Sequence, residues 1–390
     1  MNTSDATTSG LVRVLSESLA TRRIFGSGVA GLAIAAGLTQ LDLDDADAKK
    51  RKKKKNKKRR KKNRKGGGGD GGDGGDGGGG GGGGGGEVDS CGNRCGAGQA
   101  CVDGFCVTAF GEAGAGEGQF NRPTGISLSV NGEDIFVVDS GNGRVVQLSV
   151  GVPNGGFGSP GAGDGQFTDA AGIAVDFEAN EILVVDAAAH RVQEFGVSGQ
   201  FQKTFGFFGS GAEQINAPRG IAVDQQSGNI YITDTGNNRI KLLNGNLFFL
   251  RHLGNTGGEG GFRNPEGVAV DVDRNVVVAD TGNNRIQVID RQGNFLRGFG
   301  QAGSGNGQFD RPVAVTSDRD GNIYVVDQGN NRVQIFSADG AFLKAVGRGG
   351  SAVGEFNAPT GIQAFNLNNF TVVDTGNNRV QHFLIAGASD

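Results

Sequence analysis

The chain has 390 residues and a formal net charge of −3, a near-neutral total that hides two opposed parts. Residues 49–65 hold 15 Lys or Arg in 17 positions, whereas residues 90–390 hold 20 Lys+Arg against 30 Asp+Glu, a net of −10. So acidic a body argues against binding nucleic acid through its phosphates, which takes a basic face.

In chain order, paired Arg22 and Arg23 come first, followed by a mild apolar run, Gly26 to Leu41, and a small-residue Ala46-x-Ala48 site. This resembles a twin-arginine export signal over 1–48. The resemblance implies a secreted or cell-surface protein, located outside the cell or in its envelope. The apolar run is short and glycine-rich for a membrane span, so no transmembrane span is expected in the mature chain. The polybasic tract 49–65 has nothing apolar to bury and is expected to stay disordered. Outside a cell, such a tract suits an anionic envelope polymer or lipid headgroups, held by counterion release. Residues 66–89 form a low-complexity linker whose first 21 positions contain 18 glycines. As a flexible coil those 21 residues span roughly 25 Å.

All four cysteines lie in 90–106, at Cys91, Cys95, Cys101 and Cys106. They are too closely spaced for a zinc ribbon or finger, and no His accompanies them. An even cluster behind an export signal points to two disulfides in a small knob, with three pairings open. The Cys-x-x-Gly-x-Cys ending resembles small cysteine-rich modules, and that resemblance implies Cys91–Cys101 and Cys95–Cys106.

From residue 107 to 390 the chain repeats itself. Six Asp-to-Arg signatures stand at Asp139–Arg144, Asp186–Arg191, Asp234–Arg239, Asp280–Arg285, Asp327–Arg332 and Asp374–Arg379, and successive aspartates are 46 to 48 residues apart. Most read Asp-x-Gly-Asn-Asn-Arg; the second reads Asp-Ala-Ala-Ala-His-Arg, and its loop is expected to differ. A Phe-x-x-Pro-x-Gly-Ile-Ala-Val motif precedes each, as at Phe262–Val270. The fourth repeat predicts strands over 267–271, 275–280, 285–290 and 294–300. The first two are continuous apolar runs, expected to be covered on both faces, and the third alternates as a half-buried strand does. Four strands per period of this length make a propeller blade. The last repeat ends after its third strand, and 107–111 looks like an orphan fourth strand that would pair near Val380–Leu384 and latch the ring. The fold class is therefore all-β, a six-bladed β-propeller of four-stranded blades closed by an N-terminal strand.

These copies resemble NHL repeats. Relatives implied by that resemblance include the binding domains of tripartite-motif ubiquitin ligases, sensor domains of receptor kinases and a peptide-amidating lyase, so the resemblance implies architecture rather than one activity. No ring-finger cysteine set precedes the repeats, which sets ligase activity aside.

A residue needed in every blade answers a structural need. Each Asp is expected to accept N–H groups of the Gly-Asn-Asn turn, and each Arg to reach carboxylates or carbonyls between blades. Function then falls to what varies on the rim: Arg122, Arg219, Glu266 and Arg311, a mixed polar set suited to a protein, peptide or glycan ligand. His190, His252 and His382 fall in unlike strands and turns, and no nucleophile–base set stands out, so no catalytic residue, metal site or cofactor is assigned. Two alternatives stand beside the binding module. One is a lyase or lactonase type of propeller enzyme with a channel metal, for which Asp176, Asp224, Asp271 and Asp318 leave a calcium ion open. The other is nucleic-acid binding.

Overall fold

The computed structural model describes residues 91, 94–96, 98–129, 134–149, 152–254, 260–366 and 369–385. The stretches expected to be an export signal (1–48), a basic tract (49–65) and a glycine linker (66–89) lie outside these residues. Among the described residues, no helix is long and apolar enough to cross a membrane.

Runs of β-branched residues bounded by tight turns form strands here. In blade 4 they are Val268–Val270, Val276–Asp280, Arg285–Ile289 and Phe295–Phe299, each within a residue or two of the expected bounds. The strands pair antiparallel in sequence order, and blades 1, 2, 3 and 5 repeat the arrangement. First strands of neighbouring blades adjoin around the axis, the sixth meeting the first. Six apolar clusters fill the spaces between neighbouring blades.

One expectation is corrected. The third strand is not half-buried but buried on both faces: Ile286, Gln287, Val288 and Ile289 are all fully covered. Its alternating polar side chain, Gln287, is buried because it finds partners in Asp280 and the Gly261 carbonyl. The half-exposed strand is the fourth, where Phe295 and Leu296 reach solvent.

Blade 6 closes the ring. Its strands Gly361–Asn366, Asn369–Asp374 and Arg379–Ile385 receive Phe105–Phe110 as the fourth. The register runs from Phe105 opposite Ile385 to Phe110 opposite Val380. The orphan strand therefore pairs as expected and starts two residues earlier, inside the cysteine segment. Ala100–Val102 adds a fifth strand, and the disulfides are Cys91–Cys101 and Cys95–Cys106. Contacts with blade 5 fasten the latch: Lys344 Nζ donates to the Asp103 carbonyl and lies 4.2 Å from the centre of the Phe105 ring. Phe105, fully buried, meets Phe370 and Phe383 edge-on at 5.4 and 6.1 Å. Phe105→Ala is expected to lose about 3–5 kcal/mol, as for a buried aromatic. Urea unfolding checks this; a midpoint equal to the parent's would mean the latch does not hold the ring.

Candidate functional site

Each repeated aspartate is buried under several donors. Asp280 accepts the N–H of Arg263 at 2.7 Å, Asn283 Nδ2 at 2.9 Å, Arg285 Nε at 2.7 Å and Gln287 Nε2 at 2.9 Å. Asp139, Asp234, Asp327 and Asp374 likewise take a loop N–H, the turn asparagine amide and the arginine. Asp186 takes the N–H groups of Thr168 and Asp169, and Arg191. The expected bonds to turn N–H groups are thus corrected. The turn is a 3-10 turn that closes on its own carbonyl, Asn284 N–H to Thr281 O at 3.1 Å, and the carboxylate reaches back to the loop before the first strand. The arginines do reach carbonyls of the crossover loops between blades, as Arg144 does at Gly116 and Gln119.

The last turn residue links one blade to the next. Asn238, Asn284, Asn331 and Asn378 hold left-handed φ of 50 to 55° and accept the N–H of Asn264, Arg311, Ala358 and Arg122. Blade 2 lacks the 3-10 turn, yet His190 keeps φ at 53° and its Nδ1 accepts the Ala217 N–H in the same way.

Inside this frame the rim opens on a channel mouth of about 140 Å³. Two of the sequence-predicted residues, Arg219 and Glu266, line it. Arg311 joins them through Glu266 at 3.5 Å, and Asp169, which the site reading passed over, pairs with Arg219 at 3.2 Å. Arg122 does not line the mouth; it stands exposed at the junction of blades 6 and 1. Thr124 and Thr360 complete the polar wall, each donating to a neighbouring blade's carbonyl. Below the mouth the backbones crowd: a Cβ on Gly220 would sit 2.3 Å from the Glu266 carbonyl oxygen, and one on Gly172 2.5 Å from that of Arg219. A collar of Ile126, Ile173, Ile221, Val268, Val315 and Ile362 follows, common to the mouth and to a second cavity of about 240 Å³ at the other end.

The first-strand acids do not converge on the channel. Asp176, Asp271 and Asp318 accept N–H groups of their own hairpin turns, and Asp224 does so while pairing with Arg274 at 2.6 Å. Among the described residues, the one trio of ligating atoms close enough for a metal is Cys91, Cys95 and Cys106, whose sulfurs are spent in disulfides.

Residues 120–148, 216–241, 262–289 and 309–336 match the NHL repeat. These matches fall in four of the six blades. No curated protein sequence matches the chain. Among solved structures, it is similar to a protein of unknown function from Bacteroides thetaiotaomicron (19% identity, TM-score 0.56, covering 71% of this chain and 76% of that one). It is also similar to virginiamycin B lyase from Staphylococcus aureus (15%, 0.51, 72% and 99%) and a gluconolactonase from Xanthomonas campestris (15%, 0.53, 69% and 88%). At these identities the likeness is one of fold.

The histidines of this propeller are dispersed. Besides His190, His252 lies in blade 3 between Arg239 and Lys241, and burial followed by those two cations holds it at about 4. Lys241 is itself buried, donating to the carbonyls of Gly211 and Ala212, and desolvation lowers it to about 8. His382, inside blade 6 beside the Thr371 hydroxyl, is lowered by burial to about 4.

Asp280→Ala is expected to cost about 3–5 kcal/mol, because removing one partner leaves Arg285 and Gln287 facing an emptied site. A denaturation midpoint near the parent's would refute the structural role. A pH effect follows from His252 and His382. In the unfolded chain they protonate near 6.5, in the folded one near 4. Between those values the unfolded state binds more protons, so stability falls as pH drops through that window. His382→Gln should flatten the fall, and urea midpoints across the window measure it; superimposable pH slopes for the two proteins would contradict the assignment.

Proposed function

We propose that the propeller is a binding module of an exported protein, with its ligand seated over the channel mouth. The observation that carries this reading is the division of labour among polar groups. The repeated Asp and Arg side chains are consumed in holding blades, whereas the mouth is walled by residues that differ from blade to blade. Two half-exposed pairs, Arg219–Asp169 and Glu266–Arg311, put both charge signs at that mouth. Such pairs hold by less than about 1 kcal/mol, so a ligand carrying its own charged or hydrogen-bonding groups can open them and take either partner. A peptide segment of a protein, or a glycan, has that chemistry. The aliphatic collar beneath suits exclusion of water and offers no ligating side chain. Export accords with the two disulfides, which persist in oxidising compartments.

The test is retention by the native cell envelope. The parent should be retained through its propeller face, and Arg219→Ala combined with Glu266→Ala should weaken retention while shifting stability by less than about 1 kcal/mol. The same assay run on residues 90–390 separates the basic tract's contribution from the propeller's. Undiminished retention of the double variant in that shorter chain would overturn the reading. Hydrolytic or lyase turnover lost on changing mouth residues would replace it with an enzyme.

A further inference from the structure

Comparing the six blades with one another exposes a vacancy in blade 1. Two residues after the repeated arginine, blades 2 to 6 carry Gln193, Lys241, Gln287, Gln334 and Gln381, each fully buried. These side chains plug the space beneath the crossover loop. In blade 2, Gln193 Oε1 accepts the Gly165 N–H at 2.9 Å and Nε2 donates to the Gln166 carbonyl at 2.7 Å. Gln334 does the same with Gly307 and Gln308 at 2.9 and 2.6 Å, and Gln381 with Gly354 and Glu355 at 2.7 and 2.8 Å.

Blade 1 has Val146 at this position. Val146 turns its methyl groups into the apolar cluster between blades 6 and 1, and nothing replaces the carboxamide. The fourth strand opposite is Val152–Phe157, whose Gly155 and Gly156 add no side chain. The result is a cavity of about 340 Å³, lined by Gly116, Gly118, Arg144, Val146, Pro153 and Phe157 among others, with Ala115, Glu117, Gly155 and Gly156 exposed at its rim. The loop groups that the glutamines satisfy elsewhere are present here. Gly118, the counterpart of Gly165, has no acceptor for its N–H among the described residues. Among the described residues, the Gln119 carbonyl accepts only Arg144 Nη2, at 3.0 Å, whereas the equivalent Gln166 carbonyl takes Arg191 and Gln193 together. A carbonyl oxygen has two lone pairs, so one is left to offer.

We propose that this cavity is a pocket for a primary carboxamide, the glutamine side chain of a partner peptide, bound as Gln193, Gln334 and Gln381 are bound in blades 2, 5 and 6. Its oxygen accepts from Gly118 N–H and its amide nitrogen donates to the Gln119 carbonyl. The walls formed by Pro153, Val146 and Phe157 cover the methylene groups. A carboxylate of the same shape fits poorly, because it has no proton to give the Gln119 carbonyl and sets a charge against its oxygen. The pocket is separate from the channel mouth and shares no residue with it.

The test titrates acetyl-glutamine-N-methylamide into the full chain and follows the Gly118 and Gln119 amide signals by NMR. Acetyl-glutamate-N-methylamide serves as the isosteric control. A saturable shift at both signals is expected with the glutamine derivative, and binding about tenfold weaker or less with the glutamate, the discrimination of one lost bond and one new repulsion. Val146→Gln should abolish the response, since it supplies the carboxamide from within, as the sibling blades do. Should that variant fail to fold, the two derivatives on the parent protein still decide. No saturable shift, equal shifts with both derivatives, or an undiminished response in folded Val146→Gln would each overturn the proposal. So would N-acetylglucosamine shifting Gly118 where the glutamine derivative does not, which would assign the pocket to a glycan.

Discussion

The whole ring depends on the buried carboxylate at the end of each second strand. Asp280 and its counterparts are fully covered, and a charge so placed is tolerable only when donors surround it. Those donors come from three separate parts of the blade: the loop before the first strand, the turn after the second, and the start of the third. One ion therefore sets the hairpin turn, the entry of the chain from the previous blade and the direction of the arginine. The arginine passes the constraint outward by gripping the crossover carbonyls, so loop and blade position each other.

From that constraint follows the way blades join. Once the turn is held, its last residue sits in a left-handed conformation and presents an amide oxygen to the next blade. Asparagine suits this place because it tolerates positive φ and carries its own acceptor. His190 keeps both properties with a different ring, which is why blade 2 stays in register without the common motif. Gly143 in blade 1 keeps the conformation at φ 61° and has no side chain to give. Correspondingly, Asp169 in blade 2 turns its N–H to its own Asp186. That local departure leaves the Asp169 carboxylate able to meet Arg219 at the mouth.

Much of this was legible beforehand because a repeat multiplies its own signal. Six copies of Asp…Arg at a steady period gave the blade number, and the unpaired segment ending at Phe110 gave the closing strand, since a propeller leaves no unpaired edge without cost. The same repetition misled about the third strand. Alternation at Arg285–Ile289 looks half-exposed because a glutamine reads as polar, but Gln287, its amide nitrogen bonded to the Gly261 carbonyl and Asp280, is buried as fully as the valine beside it. Of the rim set, Arg219 and Glu266 stand together at the mouth and Arg311 reaches Glu266, whereas Arg122, in the same place of its repeat as Arg311, stands exposed outside the mouth, because the residue that would meet it there is a threonine, Thr124 or Thr360, and not a carboxylate.

What the amino-acid sequence determined by itself is periodic: strand order, blade count, closure and the structural standing of the repeated Asp and Arg, all of which follow from local patterns copied six times. Tertiary structure decided what depends on exceptions meeting across blades. Asp169 pairs with Arg219, fifty residues on. Asp176, Asp224, Asp271 and Asp318 turn into their own hairpins instead of the channel. Val146 leaves loop groups bare that a glutamine satisfies in blades 2, 5 and 6. The reason is one of range: a turn or strand is set by neighbours in the chain, whereas a pocket is set by which side chains the closed ring brings within hydrogen-bond reach of one another.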